Sequence, residues 1–327
     1  MTKQDLRIVF LGTPEFAVES LNRLVEGSYN VVGVITMPDK PAGRGHHLLQ
    51  SAVKQYAVAH NLKVMQPVSL RDPEFLDELR SLSADLFIVI AFRMLPREVW
   101  QMPPLGTFNL HASLLPRYRG AAPINRAVMN GDSQTGVTTF MLKHEIDTGD
   151  ILQQQSIEIA EDETVGSVHD RLMLLGADLT IQTVDHIIAG DLTPIPQEQL
   201  LAQREATPAP KIFSDDCVID WTKSASEVHN HIRGLSPYPA ARSVLLNGSD
   251  NQLSCKILLS HKVNGLPNAK PGQILCTDKR LVVACADGTA IEVLRIQPAG
   301  KKAMDTEAWL RGSRLAHDAH FVEKLEK

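Results

Sequence analysis

The chain begins with a short apolar run at 7–11, turns at Gly12-Thr13, and then places apolar residues at Phe16, Val18, Leu21, Leu24 and Val25. A continuous run giving way to a spacing of three to four residues predicts a buried strand feeding an amphipathic helix. Pro14 suits the first helical position, with Thr13 as its N-cap. Further strands are expected at 31–35, 63–65, 86–91 and 107–110, with helix-compatible stretches between them, and repeat the rhythm. Strands alternating with helices predict a doubly wound, Rossmann-like parallel sheet, which gathers ligands beyond the C-terminal ends of its strands.

The pattern breaks at 190–210, where four prolines fall in one stretch. Proline removes a donor and fixes φ, so this segment suits a connection between domains. After a helical stretch around 225–233, short β-rich runs at 255–259, 272–276, 281–285 and 290–296 follow, with Asp287-Gly288 as a hairpin signal. A small β-barrel is the expected outcome. The organisation is therefore an α/β domain at 1–189, a linker at 190–210 and a smaller barrel domain at 211–327.

Length supports two domains, because 327 residues exceed the usual size of one core. With 43% hydrophobic and 22% charged residues the chain is expected to be a soluble globular enzyme. No segment reads as a membrane span and no signal-peptide pattern precedes the first strand, so a cytoplasmic location is expected. Cys217, Cys255, Cys276 and Cys285 lack the spacing of a zinc site or a disulfide framework, and no metal is expected. Charge adds a hint once it is divided. Residues 1–210 hold 17 basic and 25 acidic residues and 211–327 hold 16 and 13, so the halves carry −8 and +3 of the total −5. A basic second domain is compatible with a nucleic-acid partner, and also with an ordinary solvated surface.

Polar residues that interrupt the apolar pattern carry the candidate chemistry. Asn109 and His111 stand two apart at the end of a predicted strand, so their side chains share one face while Leu110 turns away. Asn109 offers a neutral donor, His111 can donate or accept a proton, and a carboxylate from the turn Asp147-Thr148-Gly149-Asp150 can fix its tautomer. Such a trio suits a reaction through a tetrahedral oxyanion. The plain alternatives are a satisfied structural histidine and a capped turn. Between them, Ser113-Leu114-Leu115-Pro116 and then Arg117, Arg119 and Gly120 read as a rigid charged loop. A second loop, 37–47, carries Lys40, Arg44, His46 and His47 among prolines and glycines, which suits phosphates or base edges. No G-x-G-x-x-G follows the first strand, which disfavours a dinucleotide cofactor.

The run FNLHASLLPRYRGAAPINRAVMNGD, with IDTGDIL after it, resembles the formyl-transfer enzymes that use 10-formyltetrahydrofolate. RIVFLGTPEFAVESL from Arg7, MPDKPAGRG from Met37 and QPAGKKAM from Gln297 are similar to the methionyl-tRNA formyltransferase branch, so the resemblance runs nearly end to end. It implies catalytic roles for Asn109, His111 and Asp147. It implies a folate pocket at Ser113, Leu114, Leu115 and Pro116 and at the strand end Ala91-Phe92. It also implies a loop that enters the tRNA acceptor end, with Arg44 as the recognising arginine and Lys40 beside it, and an OB-like fold for the barrel. The basic pair Lys301-Lys302 joins this tRNA-facing set. Two departures stand out. Ala91-Phe92-Arg93-Met94-Leu95-Pro96 lacks a glycine common in the family, with Arg93 in its place, and His46-His47 replace two lysines.

The reaction so implied moves a formyl group from 10-formyltetrahydrofolate to the amine of methionine on initiator methionyl-tRNA, with Asp147 as base, no covalent enzyme intermediate and a monomeric enzyme. Three alternatives remain open: a formyltransferase for a small amine such as glycinamide ribonucleotide or an amino sugar, a hydrolase releasing formate, and a catalytically silent tRNA-binding protein.

Overall fold

The computed structural model describes residues 1–42, 47–201, 205–248, 251–266, 268–277 and 279–323. The chain divides into two compact units: 1–120, 136–157 and 169–208 make the first, and 121–135, 158–168 and 209–327 the second.

The first half supplies β1 (Arg7–Gly12), β2 (Asn30–Ile35), the short β3 (Lys40–Ala42) and β4 (His47–Leu49), β5 (Val64–Met65), β6 (Leu86–Ile90), β7 (Thr107–His111), the two-residue β8 (Arg119–Gly120), β9 (Gln134–Met141) and β10 (Ile151–Glu158). Seven of these form one sheet in the order β10-β9-β7-β6-β1-β2-β5. The run β7-β6-β1-β2-β5 is parallel, and β9 lies antiparallel to β7. Helices α1 (Glu15–Glu26), α2 (Ala52–Ala59), α3 (Pro73–Ser81), α4 (Arg97–Trp100), α5 (Pro123–Met129) and α6 (Val165–Ala189) follow in chain order.

The central strand β6 (Leu86–Ile90) is apolar at every position because both faces are covered. On one face Val9, Leu11, Phe87 and Val89 pack with Phe75 and Leu79 of α3. On the other, Leu110 lies so close to α6 that a Cβ added at Gly176 would sit 2.7 Å from its side chain. Each fully buried side chain of this size contributes about 1.5–3 kcal/mol. In register, Gly12 lies beside Ile90 and Ile90 beside Leu110, so β1, β6 and β7 end together on one edge.

Two local expectations are corrected. Pro14, not Thr13, is the N-cap of α1, and the Thr13 hydroxyl is buried without a hydrogen bond. The extended φ and ψ of Pro14 (−80° and 174°) start the helix one residue later, so Thr13 falls outside capping position. The helix then buries Ala17 and Ser20 with Phe16, Leu21 and Leu24. The second correction concerns α6, which at 25 residues is long and apolar enough to pass for a membrane span by length and composition. Its apolarity serves the fold: Leu172, Ala177, Leu179 and Val184 are buried, and the Thr183 hydroxyl bonds Gln153 and the Leu179 carbonyl at 2.8 Å each.

The second half holds the short β11 (Pro208–Ala209), then α7 (Ala225–Leu235), β12 (Ala241–Leu246), β13 (Gln252–Val263), β14 (Ile274–Cys276), β15 (Leu281–Ala284), β16 (Ala290–Pro298), β17 (Met304–Asp305), α8 (Thr306–Arg311) and β18 (His320–Val322). The strands form an antiparallel sheet in the order β14-β15-β16-β13-β12-β18. A bridge between Gln273 and His320 brings its two ends together into an OB-like near-barrel. Asp287 (φ 55°) and Gly288 (φ 69°) make the turn between β15 and β16, as the Asp-Gly signal predicts. Ser224 and Glu227 form a reciprocal capping box at the start of α7. Inside the barrel, Trp221 stacks on Phe321 at 5.5 Å among Ile257, Val283, Ile291 and Val293. Burial pushes the thiols of Cys255 and Cys285 up to about 12, so they act as small apolar side chains.

Candidate active site

The strand β7 delivers Asn109 and His111 to the edge where β1, β6 and β7 end, with Leu110 on the opposite face against α6. His111 is 7% exposed and its Nε2 lies 2.8 Å from the carbonyl oxygen of Tyr118. A carbonyl only accepts, so Nε2 carries a proton and Nδ1 is the nitrogen left for chemistry. Nδ1 faces Asp147 Oδ2 at 3.8 Å, with the carboxylate side chain 12% exposed. That separation exceeds a direct hydrogen bond. The backbone of Tyr118 thus holds the ring's tautomer, a task the sequence reading gave to Asp147.

Asp147 is itself fixed. Its Oδ2 accepts the Gly120 backbone N–H at 2.8 Å, and its own backbone sits at φ 54°, in the left-handed region. The turn that carries it is tight: a Cβ at Gly149 would sit 1.5 Å from the Met141 carbonyl oxygen, so only glycine fits there. Asn109 shows the opposite condition. Its side-chain oxygen is buried and has no hydrogen-bond partner. Leaving a buried acceptor unpaired costs about 1–3 kcal/mol, so this oxygen is a place where a donor from a ligand or a water would be held.

The loop after β7 is latched from below. Thr138 Oγ1 donates to the Ser113 carbonyl at 2.6 Å and lies 3.2 Å from the Leu115 N–H, and Gln154 Nε2 donates to the Leu115 carbonyl at 2.8 Å. The Ser113 hydroxyl donates to the Arg117 carbonyl at 2.7 Å. Ser113, Leu115 and Pro116 are buried, and Leu114 alone of the four keeps a half-exposed side chain. At the end of β6 the left-handed residue is Ala91 (φ 47°), which is exposed, and Phe92 is half-buried against the α3-side core. Arg93 reaches away to the carbonyl oxygens of Pro67 and Val68 at 2.6 and 2.9 Å. The backbone therefore turns here with a positive φ on Ala91, the smallest chiral side chain, and none on Arg93.

Of the tRNA-facing set, Lys40 is exposed and Arg44 lies outside the described residues, as does His46. The base of that loop is anchored, because Gln66 Nε2 donates to Asp39 Oδ1 at 2.8 Å and Lys54 pairs with Asp39. The bonds from Gln66 and then Lys54 hold the Asp39 carboxyl below its usual range. Lys301 and Lys302 are exposed after β16, where the Lys301 N–H bonds the Pro298 carbonyl at 3.0 Å. Among the described residues no group of His, Cys, Asp and Glu is placed to hold a metal ion. Sequence reasoning missed Tyr118, Thr138 and Gln197, whose contacts join positions far apart in the chain.

Residues 6–184 match the formyl transferase family, and residues 211–314 match the formyl transferase C-terminal domain. The chain belongs to the formyl transferase family. Its relatives include proteins named methionyl-tRNA formyltransferase from Phocaeicola vulgatus, 57% identical over 99% of this chain and 100% of the relative, and from Bacteroides fragilis, 56% identical over 96% and 97%. One from Porphyromonas gingivalis is 49% identical over 98% of this chain and 100% of its own length. Among solved structures, an N-formyltransferase from Helicobacter canadensis with folinic acid and dTDP-3-aminofucose has a TM-score of 0.66 at 20% identity, covering 88% of this chain and 98% of that one. HypX from Aquifex aeolicus with tetrahydrofolic acid has a TM-score of 0.62 at 18% identity, over 94% and 47%. These likenesses show the fold.

Proposed function

We propose that this formyl transferase moves the formyl group of 10-formyltetrahydrofolate to the α-amino group of methionine on initiator tRNA, giving N-formylmethionyl-tRNA for translation initiation. The observation that carries this reading is identity of 49–57% along both domains to relatives named methionyl-tRNA formyltransferase. The enzyme acts as a cytoplasmic monomer without a membrane or a metal, with catalysis in 1–189 and tRNA binding in 211–327 and in the loop carrying Lys40 and Arg44.

The site's chemistry fits. The unpartnered side-chain oxygen of Asn109 suits a ligand that brings a donor such as an amine to the end of β7. The amine's lone pair attacks the formyl carbon and the carbonyl electrons move onto oxygen. Collapse of that oxyanion breaks the bond to N10. The proton lost by the amine goes to Asp147, which gives it to N10 as N10 leaves, so the base is restored. Asn109 Nδ2 and a proton on His111 Nδ1 hold the oxyanion, since Nε2 is committed to Tyr118. Each such donor contributes roughly 3 kcal/mol to the transition state. Folate lies along Ala91, Phe92 and the Ser113, Leu114, Leu115 and Pro116 loop, and Lys301 and Lys302 meet the tRNA backbone.

The test is an acceptor panel: charged initiator tRNA, charged elongator tRNA, glycinamide ribonucleotide and an amino-sugar nucleotide, each with 10-formyltetrahydrofolate. Formylation of the initiator is expected. Formylation confined to a small amine would overturn the acceptor, and formate release with no acceptor would point to hydrolysis.

A further inference from the structure

The connection at 190–210 contains a residue that none of the motifs includes. Gln197 sits in a single 3-10 turn, Gln197–Gln199, and its side chain is fully buried. Its Nε2 donates to the carbonyls of Asp147 at 2.9 Å and Gly149 at 2.8 Å. Its Oε1 accepts from Arg119 Nε at 3.1 Å and from a terminal guanidinium nitrogen at 2.6 Å. Both amide hydrogens and both lone pairs are therefore used. The segment is seated independently by paired backbone bonds between Ile195 and Ile151, 2.8 Å in each direction.

This arrangement sits where the site needs outside support. Asp147 occupies a left-handed conformation that a residue with a Cβ adopts at a cost, and such a backbone persists only when its surroundings over-determine it. Gly149 is already pressed on the Met141 carbonyl, and Gly120 offers its N–H to the Asp147 carboxylate from the Arg119 side. One side chain thus ties both ends of the constellation: the backbone of the carboxylate turn, and the arginine beside the N–H that aims the carboxylate.

We infer that Gln197 is a positioning residue for Asp147: it clamps the Asp147–Gly149 turn against Arg119 and so sets the distance of the carboxylate from His111 Nδ1. The inference rests on the formyl transfer proposed above, with Asp147 as the base. A carboxylate at 197 keeps the Arg119 contact but faces two carbonyls with no proton to give, whereas a leucine loses both sides. Gln197→Glu isolates the clamp on the turn, and Gln197→Leu removes it entirely.

The experiment measures kcat and KM for 10-formyltetrahydrofolate and methionyl-tRNA in the wild type, Gln197→Glu, Gln197→Leu and Asp147→Asn, and in each Gln197 change combined with Asp147→Asn. Thermal midpoints are recorded for all. Loss of about 10–100-fold in kcat, KM within about threefold, and no further loss on the Asp147→Asn background are expected. A general structural role predicts instead the same fold-loss with and without the Asp147 carboxylate, and that result overturns the inference, as does wild-type kcat in Gln197→Glu. Should Gln197→Leu fail to fold, Gln197→Glu and Arg119→Met carry the same test, with Arg119→Met expected to lose kcat on the wild-type background alone. Transfer absent in the wild type removes the reaction itself, which separates that failure from one confined to Gln197.

Discussion

Replacing Asn109 by leucine separates what the fold needs from what the reaction needs. In the ligand-free chain the Asn109 side-chain oxygen is buried with no partner, on a strand whose neighbours at this level are Val89 and Phe140. Leucine has nearly the same shape and no group to leave unsatisfied, so Asn109→Leu removes a penalty of about 1–3 kcal/mol. In a domain of this size each kcal/mol moves the thermal midpoint by about 2–4 °C, giving an expected rise of several degrees. The same change deletes an oxyanion donor, and a loss of roughly 3 kcal/mol slows transfer about a hundredfold. Scanning calorimetry of the ligand-free protein and single-turnover formylation together read both effects. A drop in midpoint of several degrees would refute the reasoning, because it would mean that the amide oxygen has a stabilising partner. Unchanged turnover would refute the role at the oxyanion.

Other perturbations follow from the same geometry. Gly149→Ala places a Cβ 1.5 Å from the Met141 carbonyl, so the turn must move; a stability loss of about 3 kcal/mol or more, seen in urea unfolding, is expected with kcat falling too. Acidification should weaken the second unit through His229, which is 2% exposed, bonded to Ser260 at 3.0 Å and to the Glu161 carbonyl at 3.2 Å, and held below the usual histidine range chiefly by burial. The unfolded chain then takes up the proton first, so stability present above about pH 6.5 is lost as pH falls below it; in His229→Leu, unfolding midpoints measured from pH 7.5 to 5 should depend less on pH. Arg44→Ala is expected to slow formylation of methionyl-tRNA by tenfold or more, with folate affinity, followed by fluorescence quenching, unchanged.

The sheet was legible because its signal is local. Runs such as Leu86–Ile90 have no polar residue at all, and only a strand covered on both faces asks for that. Asn109 and His111 were legible for the complementary reason, being polar side chains set two apart where the pattern demands apolar ones. Gln197 was invisible: a glutamine among prolines has no periodicity, and its partners at 119, 147 and 149 are assembled only by folding. The turn at Ala91 stayed open for a related reason. Arg93 in place of a glycine leaves the backbone path undecided, and only the folded chain shows the positive φ on Ala91 with Arg93 bonded to the Pro67 and Val68 carbonyls. The acceptor was harder still, since an OB-like fold does not by itself name the ligand it binds.

The most direct measurement follows an isotopically labelled formyl group in a single turnover, with enzyme in excess over charged initiator tRNA, for the wild type and for a folded Asp147→Asn variant. The account predicts label on the methionine amine at a rate at least a hundredfold higher in the wild type. Label recovered as free formate, or equal transfer rates in the two proteins, would contradict it.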